Sequence, residues 1–437
     1  MKTVSLLLIL FVGLNSHPNS HSHPNPKNQT ELSAPLPNDD FMTLLNSLEP
    51  VYNVVNLEEL GLTKGKTTYE PWASSYWPIH RGVLAFRYPD KASYNSKAFM
   101  DNFKTYNANP AENYIAENRI DHLSPAEKYD LLVGDKNWSL TKAMWKKGYD
   151  DYQEKGIVAQ WTGICHGWAA ISHRDSPPPK HGVVLRDVTN SYSITFFESD
   201  VKGLLSYLWA ESPPETKQAG NRCYQFPVTR DPMLRPQEVS CLDTNPMTWH
   251  LSITNRVGRF GKSFVMDSSA GPEVWNYPIS SYDYSYFNAR TFEPVNSFNA
   301  GIVPISDLSN DHFAGVRNDK TKFVVGVIMD VFHPALIEPT MGPMGNAYQS
   351  HTFIYDLELD ESYNIVGGEW YSEEQPDFLW TFADELKART REDIQDFGVW
   401  DDTGPMPINI SQSAISASQR GKVMATIIDK LHAKSIE

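Results

Sequence analysis

Only three cysteines occur in 437 residues, Cys165, Cys223 and Cys241. That is too few for a disulfide-built scaffold, so a hydrophobic core must hold the fold. After Leu14 no stretch approaches the roughly 18 unbroken apolar residues of a spanning helix, which excludes a stable membrane span from the rest of the chain. Positive charge is scarce: 38 Lys and Arg face 53 Asp and Glu, for a net charge of −15. Phosphate binding depends on Lys and Arg, so this balance argues against a nucleic-acid partner. The HExxH and GxSxG motifs are missing. GRFGKS (Gly258–Ser263) lacks the glycine spacing of a phosphate loop and reads as a turn. HTFIYDLELDES carries alternating carboxylates without EF-hand spacing, and there is no internal repeat.

What is present bounds the fold. At 41% hydrophobic the chain can bury a large core, as two or three domains or one elaborated domain. Aromatics at 12% and 30 prolines point to a loop-rich architecture rather than a plain bundle. Lys2 followed by the apolar Ser5–Leu14 reads as an export signal, assigned to 1–16. Residues 17–39, rich in His, Asn, Ser and Pro, read as a disordered low-complexity spacer. The expectation is a protein secreted to the periplasm or exterior, where disulfides persist. Cys223 and Cys241 lie in one Pro-rich segment and can pair, which leaves Cys165 as a free thiol; the alternative is that none pair.

Along the chain, 40–156 reads as mainly helical. Ser124, Pro125 and Glu127 give an N-cap, a Pro at the first helical position and a capping-box Glu. TKAMWKKGYDDYQEKG continues this tract to Gly156. Residues 157–385 read as an α+β core. Strands are predicted for VVLRDV with SYSITFFESD, for TWHLSITNRV, KSFVMDSS and KFVVGVIMDVFH, and for the hairpin HTFIYDLELD with NIVGGEWYS, with an amphipathic helix at Asp200–Glu211. At 386–437 the chain closes with C-terminal helices, predicted from ADELKARTRE and QRGKVMATIIDKLHAK.

The chemistry centres on IVAQWTGICHGWAA (157–170). Gly163 breaks the run and Cys165 opens a predicted helix, where the dipole and unpaired N–H groups favour thiolate over thiol. Two readings stand: an activated nucleophile, or a small buried Cys beside a core Trp. His250 falls on a predicted strand and Asp267 on the next, 17 residues on, across a Gly-rich turn. Such strands can set an imidazole beside a carboxylate that fixes its tautomer. Cys, His and Asp in that order, with Cys on a helix start, is the layout of papain-like and transglutaminase-like enzymes. Alternatively, His250 is a core histidine and Asp267 a turn residue. Gln160 and Trp161 are rival side-chain donors to an oxyanion. His166 is adjacent to Cys165, and adjacent helical residues do not face each other, so it reads as structural. His351 is a second, weaker candidate base.

WTGICHGWA (161–169) and WHLSITNRVGRFGKSFVMDSSAGPEVWNYP (249–278) resemble the transglutaminase elicitor family, the oomycete cell-wall transglutaminase and its secreted bacterial relatives. Further matches are PWASSYWPIHRG, LSPAEKYDLLVGD, SDVKGLLSYLWAE, GGEW and PDFLW, so the resemblance covers roughly 70–385. VWNYPISSYDYSYF (274–287) resembles the surface peptide that plants recognise, but ISSYDY replaces its basic and glycine residues. The resemblance implies a papain-like or transglutaminase-like core and protein-glutamine γ-glutamyltransferase activity, with Ca²⁺ dependence in the oomycete members. Cys165 would form a thioester from a protein or peptide glutamine, and a primary amine would resolve it. His250 would move the proton and Asp267 would orient it. Asp187, Glu198 and Asp200 read as one acidic surface cluster, with no calcium ligands assigned. Two alternatives stand beside this reading: a cysteine peptidase or amidase on the same machinery, and a non-catalytic surface or host-interaction protein.

Overall fold

The computed structural model describes residues 39–437 apart from 47, 91–95, 175, 226, 233–234, 269–270, 373, 384–386, 398–399 and 401–403. The expected signal at 1–16 and spacer at 17–39 lie, but for Asp39, outside the described residues.

Local chemistry sets the helical first third. Ser124 accepts the Glu127 N–H while the Glu127 carboxylate returns to the Ser124 N–H, and Pro125 fills the first turn of Pro125–Val133. These satisfy donors that a helix start leaves open. The long helix Ser139–Lys155 stops at Gly156, which adopts φ 72°, a left-handed conformation that glycine tolerates at a C-terminus.

Thirteen strands are described: β1 Lys64–Lys66, β2 Val183–Arg186, β3 Ser193–Phe196, β4 Thr216–Gly220, β5 Val265–Asp267, β6 Asn276–Pro278, β7 Ser281–Phe287, β8 Pro294–Val295, β9 Val303–Pro304, β10 Phe323–Pro334, β11 Tyr348–Leu359, β12 Ile365–Gly367 and β13 Phe378–Phe382. The largest sheet runs β1-β7-β10-β11-β12, with β8 on β7 and β9 on β10. A four-stranded sheet runs β4-β13-β5-β6, and β2 and β3 form a separate hairpin. All of these pairings are antiparallel.

The four-stranded sheet is a partition between two cores. Opposed residues in an antiparallel register point to the same face, and successive residues to opposite faces. Leu379 is paired with Ala219 and Met266, and all three join the core beneath the largest sheet. Phe378, Trp380, Phe382 and Val265 face the other way, into the helical core that holds Cys165. Asp267 is two residues from Val265 and paired with Asn276, so both belong to the Cys165 face.

Several predicted elements differ. TWHLSITNRV is no strand. It forms the helix Pro246–Ser252, continued as a π-helix over Ile253–Arg259. Asn245 caps it by accepting the Met247 N–H, and Pro246 occupies the first turn. The segment is buried on every side, so its polar residues mark no solvent face, the alternation of Trp249, Leu251 and Ile253 reads as a strand, and the helical period is lost. In ADELKARTRE the described residues hold only a short 3₁₀ turn, Arg391–Ile394. Ile408–Gln419 is a helix where none was predicted, and the last predicted helix starts only at Ala425, after Gly421 at φ 70°.

The Cys165 helix packs closely on the helix Glu198–Glu211. A Cβ added at Gly167 would lie 2.0 Å from the Ser206 carbonyl oxygen and 2.7 Å from the Ala210 side chain. Gly167→Ala is therefore expected to cost about 1–3 kcal/mol, read as a lower urea midpoint. An unchanged midpoint would show that the helices separate freely.

Candidate active site

The backbone before the thiol is clamped by Pro71–Gly82. Ile164 N–H donates to the Tyr76 carbonyl at 2.7 Å, and Ile79 N–H to the Thr162 carbonyl at 2.9 Å. The Trp168 indole donates to the Trp72 carbonyl at 2.7 Å. A Cβ at Gly163 would sit 2.3 Å from the Tyr76 carbonyl oxygen, so only glycine allows this approach. The helix Cys165–Ser172 then starts at the cysteine itself.

The sulfur is surrounded by amide groups. Asn276 Nδ2 donates to Sγ at 3.5 Å, and the backbone N–H groups of Asn276 and His166 also serve it. The thiol is 3.7 Å from the Val274 carbonyl oxygen, which can accept its proton. Trp380 fixes the Asn276 amide: its indole N–H, which can only donate, bonds Oδ1 at 2.7 Å. The carbonyl end thus faces Trp380 and the NH₂ end faces sulfur. Burial pushes the thiol above its usual range, the Asn276 amide and backbone pull it down, and the Asp267 charge pushes it up.

Above the thiol lies a cavity of about 390 Å³ walled by Trp161, Trp209, Phe378, Trp380 and Phe382, with Thr216, Gln218, Arg222, His166 and Asn276 among its polar groups. Aromatic walls exclude water around the sulfur and strengthen its electrostatic contacts.

Of the residues singled out from sequence, Cys165 and Asp267 lie on one face of the partition sheet. His250 does not join them. It is fully buried on a helix of the other core, hydrogen-bonded through Nδ1 to the Tyr355 hydroxyl at 2.8 Å and edge-on to Tyr284. Its expected position on a strand beside Asp267 is corrected: the side chains of His250 and Asp267 lie on opposite sides of the sheet. Burial alone lowers its pKa to about 3, so the imidazole is neutral near pH 7. Gln160 is exposed and does not line the cavity, whereas Trp161 does. His166 is an exposed lining residue whose ring bonds the Ala210 backbone. His351 bonds Glu374 at 3.4 Å and stacks on His333. Cys223 and Cys241 are joined in a disulfide, with Cα atoms 4.5 Å apart, and Cys165 is free. Asn276 and Trp380 were missed as site residues. Asn276 sits in the EVWNYP stretch and Trp380 in PDFLW, but nothing local shows that they meet.

Among the described residues no group of three or more His, Cys, Asp or Glu side chains is arranged to hold a metal ion. The expected acidic surface cluster is corrected, because Asp187, Glu198 and Asp200 are all buried. Asp187 accepts the Thr189 and Tyr192 N–H groups. Glu198 pairs with Lys202 at 2.8 Å, and Asp200 with Lys128 at 2.7 Å and the Tyr88 hydroxyl at 2.9 Å. Buried carboxylates need such partners, and these are already engaged.

Fold and site together define an α+β protein that presents a free thiol, from a helix start, to an aromatic cavity beside a small antiparallel sheet. The transglutaminase elicitor family model matches residues 45–395, and the chain belongs to that family. Its structure is similar to the crystal structure of the GP42 transglutaminase from Phytophthora sojae. The TM-score is 0.56 at 19% identity, covering 92% of this chain and 98% of that one, a likeness of fold. No curated protein matches the sequence. No helix among the described residues is long and apolar enough to cross a membrane.

Proposed function

We propose that the protein is a secreted protein-glutamine γ-glutamyltransferase with Cys165 as its nucleophile, on a papain-like arrangement of helix and sheet. The observation that carries this is the Cys165 sulfur at a helix start, met by the Trp380-oriented Asn276 amide on the floor of an aromatic cavity. Family membership and the fold shared with a transglutaminase support it. Sγ attacks the carboxamide carbon of a glutamine side chain, and the thiol proton passes to Asp267, the carboxylate on the same sheet face whose charge acts on the thiol. The Asn276 amide and the His166 N–H stabilise the oxyanion that forms. The C–N bond breaks, ammonia leaves with the returned proton, and a thioester remains. A primary amine then attacks the thioester, a C–N bond replaces the C–S bond, and the thiol is restored. The aromatic walls disfavour water as the competing acceptor.

Incubating the protein with a glutamine peptide and a labelled amine, with and without added Ca²⁺, tests this. Amine incorporation with ammonia release is the expected result. Peptide-bond cleavage alone would establish the peptidase reading instead, and neither reaction would leave an interaction protein.

His250 gives a second test. His250→Gln is expected to lower stability by about 1–3 kcal/mol through the disturbed Tyr355 hydrogen bond. Amine incorporation per folded molecule should stay within about tenfold of the unsubstituted protein. A loss as complete as that from removing the thiol would restore His250 to the chemistry.

A further inference from the structure

Among its described lining residues the cavity over Cys165 has one arginine, Arg222, and no carboxylate. Arg222 is held from three sides. Its Nη2 donates to the Pro272 carbonyl at 2.6 Å, and its guanidinium lies 5.9 Å from the Trp161 ring centre and 4.9 Å from that of Tyr224. Its Nε is buried without a hydrogen-bond partner. The following residue, Cys223, is tied to Cys241, and its N–H donates to Asp377 at 3.0 Å, so the backbone that carries Arg222 is anchored. Of the nearby carboxylates, Glu273 accepts from the Trp275 indole and Glu211 pairs with Lys147 at 2.7 Å. Asp377, whose field reaches Arg222, accepts the Cys223 N–H through Oδ2 and does not line the cavity, and no hydrogen bond joins its buried Oδ1 to the guanidinium.

Distance to the reacting atom follows from the chain. Pro272, whose carbonyl binds Arg222, is two residues before Val274, whose carbonyl is 3.7 Å from Sγ. At ~3.5 Å per residue this caps the separation of Nη2 and Sγ at roughly 13 Å. A donor peptide whose glutamine side chain reaches the sulfur therefore passes within reach of the guanidinium within about three residues. A fixed, partly desolvated guanidinium on the cavity wall favours a carboxylate there.

We propose that Arg222 makes this cavity select glutamine donors that carry an Asp or Glu within three residues of the reacting glutamine. The proposal rests on the acyl-transfer reading above. The test compares kcat/KM for amine incorporation into a neutral glutamine peptide and into peptides with Glu placed one, two or three residues to either side. The best acidic peptide is expected to be preferred about tenfold, a value between those of exposed and desolvated charge pairs. The preference should fall toward one at high salt. Arg222→Gln should bring the ratio within about twofold of one, Arg222→Lys should retain part of it, and Arg222→Glu should invert it toward peptides bearing Lys. The ratio is its own control, since partial unfolding slows all peptides alike. Equal use of all peptides by the unsubstituted protein, or an undiminished ratio in Arg222→Gln, would overturn the proposal. If no donor accepts amine while the protein is folded, the acyl-transfer reading itself falls, and this proposal with it.

Discussion

Cys165→Ala is expected to abolish amine incorporation, a loss on the order of 10⁴-fold or more, because no other group can form the thioester. The substitution should leave the fold intact, since the helix start is held by the Tyr76, Thr162 and Trp72 carbonyls rather than by sulfur. A circular dichroism spectrum unchanged beside lost activity would separate chemistry from unfolding. The same thiol makes a pH prediction. Only thiolate reacts with iodoacetamide, and burial holds the Cys165 thiol above its ordinary value of 9.0. The alkylation rate should therefore rise about tenfold per pH unit from pH 7 and still be climbing at pH 9. A plateau below pH 8 would mean that thiolate is already the resting form. Asp267 as proton acceptor would then be unnecessary. Retained amine incorporation in Cys165→Ala would end the nucleophile reading altogether.

What was legible in the sequence follows the range of the forces involved. Helix starts are local. Ser124, Pro125 and Glu127 announce their capping box within four residues, and Gly163 before Cys165 marks the break that precedes the Cys165 helix. Long strands such as β10 and β11 show themselves by composition. The Asn245–Pro246 cap was equally local, but the fully buried run after it looked like a strand because its burial has no helical period. That one misreading moved His250 to the wrong side of a sheet. Spacing between His250 and Asp267 along the chain carries no information about faces. Only the pairing of Leu379 with Met266 and of Asp267 with Asn276 shows which side chains share the cavity. Trp380 was beyond reach for the same reason: it meets Asn276 across a separation of 104 residues, and no local pattern encodes that.

Asn276→Ala is the other large effect expected. The amide is in place before reaction, since the Trp380 indole fixes Oδ1 and so aims Nδ2 at the sulfur, and no reorganisation is needed when charge develops. Removing one such preorganised donor is expected to lower kcat by about 10²–10³-fold, with a smaller change in KM. The alkylation profile supplies a readout that a purely structural role would not move. Asn276 lowers the thiol pKa through both its side chain and its backbone, so losing the side chain should shift the iodoacetamide curve to higher pH. Asn276→Asp should shift it further, because a carboxylate would face the forming thiolate. Trp380→Phe keeps most of the wall but frees the amide to rotate. It should cost about tenfold in kcat, consistent with one hydrogen bond of roughly 1–1.5 kcal/mol. If Asn276→Ala slows turnover without moving the alkylation curve, the side chain acts through packing rather than charge. If Trp380→Phe equals Asn276→Ala in effect, the indole contributes more than the orientation of one amide.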